Sequence, residues 1–91
     1  MLRENHKDPV ALALAALAAT LGDARRAQRF LDLTGIGTEE LRERAADPTL
    51  LSALLGFLEA HEPDLLSVST ELGIAPLELV EARRMIDEGT S

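Results

Sequence analysis

Aspartate stands directly before proline twice in this chain, at Asp8-Pro9 and at Asp47-Pro48. Each pair is a helix start. The carboxylate accepts hydrogen bonds from backbone N–H groups that a first helical turn leaves unpaired, and proline at the first helical position lacks an N–H that would be unpaired anyway. Asp23 and Thr38 read as two further caps, the latter followed by Glu39 and Glu40 where the positive end of a helix dipole favours acids. Glu62-Pro63-Asp64 ends one helix and begins another, and Pro76 opens the last. Gly22, Gly35, Gly73 and Gly89 follow helical segments, where a left-handed residue closes the final turn.

This punctuation predicts six helices, at about 9–21, 24–34, 39–46, 48–61, 64–72 and 76–87. They are flanked by a polar leader over 1–8 and a polar tail over 89–91, so that 9–88 is a single helical domain. Composition agrees. Of 91 residues, 18 are Leu and 14 are Ala, both strong helix formers, whereas strand-favouring Val and Ile number three each. The expected fold is all-α: one compact bundle of five or six short helices, since a chain of this length has room for one core.

The first helix is apolar nearly all round. Val10, Leu14, Leu17 and Leu21 make one stripe with Leu12 behind it, which places the helix centrally or makes it a dimer face. The second is amphipathic, with Ala27, Phe30, Leu31 and Thr34 opposite Arg25, Gln28, Arg29 and Asp32. The fourth carries a wide arc of Leu50, Leu51, Leu54, Leu55, Phe57 and Leu58. Phe30 and Phe57 are the only aromatics and anchor the core, each burying more area than any Leu. The expected core is Leu14, Leu17, Leu21, Phe30, Leu31, Leu54, Phe57, Leu58, Leu65, Leu72, Leu79 and Ile86, gathered around helix one, helix four and the C-terminal hairpin.

Several functions are excluded by what is missing. With no Cys, Trp or Tyr, the chain is not a disulfide scaffold, a thiol enzyme, a zinc finger or an aromatic platform for single-stranded nucleic acid. The longest apolar run, Val10 to Ala19, is ten residues, too short to span a bilayer. Arg3 and Lys7 precede it as in a signal peptide, but Glu4 and Asp8 cancel them and Asp8-Pro9 starts a helix, so a cytoplasmic protein is expected.

No constellation reads as catalytic. No Ser sits in a nucleophile elbow, His6 and His61 are far apart, Glu39-Glu40 suits a helix dipole, and Gly35-Ile36-Gly37 lacks the lysine and strand of a phosphate loop. His6 lies in the leader and is expected to be exposed and inert. His61 with Glu62 and Asp64 lacks a second imidazole at ligand spacing, so it reads as a junction histidine rather than a metal ligand. Neither cofactor, metal nor small molecule is expected.

Charge is divided. Residues 1–30 carry five basic and three acidic side chains, residues 31–91 four basic and thirteen acidic, for a net −7 overall. The acidic part repels phosphate backbones and attracts basic partners. Within it, residues 64–86 resemble a helix-turn-helix, with Gly73 at the turn and Val68, Leu72, Ile74, Leu79 and Ala82 at the inter-helix contacts. Its second helix presents Leu77, Glu78, Val80 and Glu81, with Arg84 only at the far end, which is the wrong chemistry for a major groove. Arg25, Arg26 and Arg29 form the one basic cluster. It is either a solvated helix face paired with acids of the chain or a candidate docking patch.

The segments F-L-x-L-T-G-I (Phe30 to Ile36), L-R-x-R-A-A-D-P (Leu41 to Pro48) and L-G-I-x-P (Leu72 to Pro76) resemble a small bacterial family, domain of unknown function 3572, over roughly residues 10–87. The resemblance implies a compact helical protein of the bacterial cytosol. It implies no activity and carries no functional residue onto this chain.

The residues therefore point to a non-catalytic protein–protein interaction or homodimerisation module, because the apolar load is high for so short a chain. The alternative is a divergent helix-turn-helix nucleic-acid binder using Arg25, Arg26, Arg29, Arg83 and Arg84. It requires all five guanidinium groups on one face, clear of Glu78 and Glu81. A small-ligand carrier would instead need a closed apolar cavity.

Overall fold

The computed structural model describes residues 8–90. It contains six helices: α1 (Pro9–Leu21), α2 (Ala24–Thr34), α3 (Thr38–Glu43), α4 (Pro48–Glu59), α5 (Glu62–Leu72) and α6 (Pro76–Thr90). Three begin as the aspartates dictate. The Asp8 carboxylate accepts from the N–H groups of Val10 and Ala11, that of Asp23 from Arg26, and that of Asp47 from Thr49.

The other boundaries correct the sequence reading. Thr38 is the first helical residue rather than a cap; Gly37 precedes it and offers no side chain to bond. α3 ends at Glu43, three residues early, where Arg44 bridges Glu40 in that helix to Asp47 at the next start. α5 begins at Glu62, with Pro63 in its first turn and His61 before it. Of the four glycines read as stops, only Gly35 and Gly73 are left-handed, at φ 72° and 71°. Gly22 ends α1 in a right-handed conformation, and Gly89 lies inside α6, so residues 89 and 90 of the expected tail are helical. His6 and the rest of the leader before Asp8 lie outside the described residues, as does Ser91.

α1, α4 and α6 pack on one another, α5 closes against α1 and α4, and α2 lies along α1. The Cα radius of gyration, 12.1 Å, equals the roughly 12 Å of a compact domain of this length. No strand occurs among the described residues. Phe30 and Phe57 meet edge to face at 5.4 Å between ring centres, the favoured geometry for two ring quadrupoles.

Leu17, Leu54, Leu58, Leu79 and Ile86 join them in the core, with Leu14, Leu31, Leu65 and Leu72 packed around it. Leu21, expected inside, is 39% exposed. The buried face of α1 is Leu12, Ala13, Ala16, Leu17 and Thr20, rotated from the stripe that the leucines suggest. Ala13 and Ala16 are fully buried, and so is Thr20, whose hydroxyl donates to the Ala16 carbonyl at 2.8 Å and enters the core satisfied.

The hairpin of α5 and α6 turns at Gly73. The Ile74 N–H donates to the Ser69 carbonyl at 3.0 Å, closing α5 in the manner of a left-handed glycine cap. Val68, Leu79 and Ala82 are buried between the two helices and their neighbours, with Leu72 and Ile74 partly so. The Glu78 carboxylate reaches back to accept from the Ala75 N–H at 2.9 Å, half of a capping box at the start of α6.

Candidate functional site

The three arginines of α2 do not form one open patch. Arg26 is turned inward, its side chain only 9% exposed, and donates to Glu71 on α5 at 2.9 Å. Arg29 pairs with Asp64 on α5, and its guanidinium stands 5.7 Å from the centre of the Phe57 ring. Of the three, Arg25 is the exposed residue. The cleft between α2 and α5 thus holds three arginines together with Asp23, Asp64 and Glu71. A cleft with equal numbers of both signs presents little net field to an acidic partner. Arg26 and Arg29 stitch α2 to α5. Sequence reading sees the cluster but not its partners, because Asp64 and Glu71 lie 35 and 45 residues further along. Arg26/Arg29 on one face of α2 opposite Asp64/Glu71 on one face of α5 is the signal that could have joined them.

The arginines of α6 are also engaged. Arg83 donates to Glu59 of α4 through Nε at 2.6 Å and Nη2 at 3.1 Å, and the same guanidinium reaches Asp87 at 3.4 Å. The hydrogen bonds to Glu59, with its charge, raise the Arg83 pKa above its ordinary value. Arg84 binds Glu81 through Nη2 at 2.6 Å and Glu88 at 2.7 Å, and the Glu81 bonds above all raise its pKa likewise. The geometry that a five-arginine nucleic-acid surface requires is therefore not met, since Arg84 is bound to one of the carboxylates it had to avoid.

What the outer face of the hairpin does present is apolar. Leu77 is 64% exposed and Met85 44% exposed. They stand about two turns apart on one stripe of α6, with Glu81 midway between them, at positions i, i+4 and i+8. Beside this stripe runs an open groove of about 450 Å³, walled by Pro9 and Leu12 of α1 and by Ala75, Leu77, Ala82 and Met85, with Glu78 and Glu81 as its charged lining. Both carboxylates are held in place, Glu78 by the Ala75 N–H and Glu81 by Arg84.

Sequence reading finds Leu77, Glu78 and Glu81 on this face but misses Met85 and the wall contributed by α1. A second, smaller apolar hollow of about 370 Å³ lies where α1, α2 and α3 meet, lined by Leu17, Leu21, Ala27, Leu31 and Leu41 with Thr38, Arg42 and Ala45. Both hollows are open to solvent, so neither is the closed cavity of a small-ligand carrier.

His61 lies half-buried at the α4–α5 junction and makes no capping bond with its side chain. Among the described residues no three His, Asp or Glu side chains converge as a metal site, and no helix is long and apolar enough to cross a membrane.

Among known families, the model described as "Protein of unknown function (DUF3572)" matches residues 6–89. No curated protein and no solved structure matches the chain.

Proposed function

The chain belongs to the DUF3572 family, and from that premise we propose that it is a non-catalytic protein-binding module whose contact surface is the groove between α1 and α6. One observation carries this reading. The helix that a helix-turn-helix protein would direct at a ligand directs Leu77 and Met85 at solvent, beside an apolar groove. Exposed apolar side chains beside an apolar groove, set among fixed carboxylates, are the anatomy of a protein contact. Methionine in such a stripe adapts to a partner's shape. Nucleic-acid binding has less support, because four of the five arginines it would use are bound to carboxylates of the chain itself.

The test is site-specific photo-crosslinking in the native host. A photoreactive side chain at position 77 is compared with one at position 28, whose Gln is exposed on α2. The expected result is a discrete adduct with another protein from position 77, absent from position 28 and lost with Met85→Asp. Adducts that are equal at both positions, or unaffected by that substitution, would overturn the reading.

A further inference from the structure

We propose that the occupant of the α1/α6 groove is an amphipathic helix of another protein, carrying Lys or Arg beside its apolar stripe; this inference rests on the protein-binding reading above. Three features of the groove select that occupant.

The first is shape. From Ala75 to Met85 the wall follows α6 for ten residues, about 15 Å at 1.5 Å per residue. That is the length of about three helical turns, and the groove is open along one side. A small molecule would remain largely in water there, whereas a helix lays one face into such a groove through anchors at i, i+3, i+4 and i+7.

The second is the sign of the rim. Among the described residues every charged group lining the groove is a carboxylate, Glu78 and Glu81. Arg84 offsets only one of these charges, because it is shared between Glu81 and Glu88, so the three carboxylates Glu78, Glu81 and Glu88 still outnumber it. The wider field has the same sign, with thirteen acidic against four basic side chains in residues 31–91. A partner that brings cations to this rim gains in encounter rate and in register.

The third is what that field repels. A two-fold contact between copies sets the same patch against itself, so Glu78 and Glu81 would face their own counterparts on two molecules of net charge −7. Anionic lipid surfaces and phosphate backbones are disfavoured on the same ground. Glu78 and Glu81 are also set in position before binding, so little ordering is required of them.

The experiment is selection from a displayed library of amphipathic helices of about twelve residues, roughly three turns, with fixed Leu anchors and randomised flanks. The full chain is the target and its Leu77→Asp variant the counter-target. Leu77 is exposed, so that variant folds. The expected result is enrichment of Lys and Arg in the flanks. Binding of an enriched helix, read by fluorescence anisotropy, weakens several-fold when Glu78→Gln and Glu81→Gln are combined, and its dependence on salt flattens. Gln at position 78 retains the capping acceptor, which keeps the start of α6 intact.

Enrichment of neutral or acidic flanks, with binding still lost in Leu77→Asp, overturns the basic occupant and leaves the protein-binding groove standing. No enrichment over the counter-target overturns both. A dimer in sedimentation that Leu77→Asp dissolves makes the occupant a second copy and overturns this inference.

Discussion

Arg29 on α2 pairs with the Asp64 carboxylate on α5, and the pair is lopsided: the arginine side chain is 42% exposed, the aspartate 13%. Removing the arginine therefore strands a carboxylate out of water, whereas removing the aspartate leaves a cation that water can reach. One-sided loss of a buried pair costs several kcal/mol, and here the N-terminal turn of α5, in which Asp64 sits, offsets part of it. Arg29→Met is expected to destabilise by about 2 kcal/mol. Adding Asp64→Asn to it should restore at least half of that loss, because the stranded charge is gone. Urea titrations of the two single variants and the double variant measure the coupling. A double variant as unstable as the sum of the singles would contradict the assignment.

Two glycines should respond to alanine with opposite signs. Gly73 has φ 71° with open space around it, so a methyl there meets no atom but forces a left-handed backbone on an L-residue. Gly73→Ala is expected to cost about 1–2 kcal/mol. Gly56 lies within α4, where an added methyl would meet the Arg83 side chain at 3.9 Å, an ordinary contact. Gly56→Ala is expected to stabilise by about 0.5–1 kcal/mol, the helix-propensity difference. Thermal denaturation by circular dichroism reads both signs.

These cases mark how far the sequence can be read. Helix starts at Asp8, Asp23 and Asp47 are legible because their chemistry is complete within three residues. The central place of α1 and α4 follows from apolar content alone, whereas α6, charged over much of its length, is placed by the helically spaced Leu79, Ala82 and Ile86. The face that α1 buries does not follow from content: with Leu or Ala at nearly every position no period singles out one side, and the side that fits is the one where Ala13 and Ala16 take up least space. Leu21 falls outside the core for that reason. Gly89 cannot be told from a stop by sequence, since glycine is permitted in a helix as well as after one. The charged stitch of α2 to α5 and the groove of α1 against α6 each join residues distant in sequence. No local pattern encodes either, although the exposed Leu77 that marks the groove is visible in the residues themselves.

Acid should loosen the fold in a definite range. The Asp23 carboxyl is held below the usual aspartate range chiefly by the N–H of Arg26, and that of Asp47 chiefly by the N–H of Thr49. Native values below unfolded ones mean that the unfolded chain binds more protons in this range, so stability rises with pH there. The contribution is complete above the unfolded value of about 4 and is lost as pH falls through the native values beneath it. The melting temperature is expected to be level from about pH 7 to pH 5 with respect to these groups and to fall below about pH 4. Asp23→Asn and Asp47→Asn together keep a capping acceptor and should make that fall shallower. An unchanged slope in the double variant would show that other carboxylates carry it.

Leu77 and Leu79 provide the sharpest separation of stability from binding, being the same residue two positions apart on one helix. Leu79 is fully buried between the helices, and Leu79→Ala should cost about 2–5 kcal/mol by leaving a cavity, enough to threaten a domain of this size. Leu77 projects into solvent beside the groove, so Leu77→Ala should change stability by no more than about 0.5 kcal/mol, as at most surface positions. The binding side of the comparison runs the other way. The helix selected against the full chain should bind the Leu77→Ala variant at least about tenfold more weakly, the scale of losing one well-placed anchor. Chemical denaturation and anisotropy on the same preparations test both halves. A Leu77→Ala variant that lost stability like a core variant would place Leu77 in the packing of the fold, and the groove would then be a by-product of that packing rather than a surface for a partner.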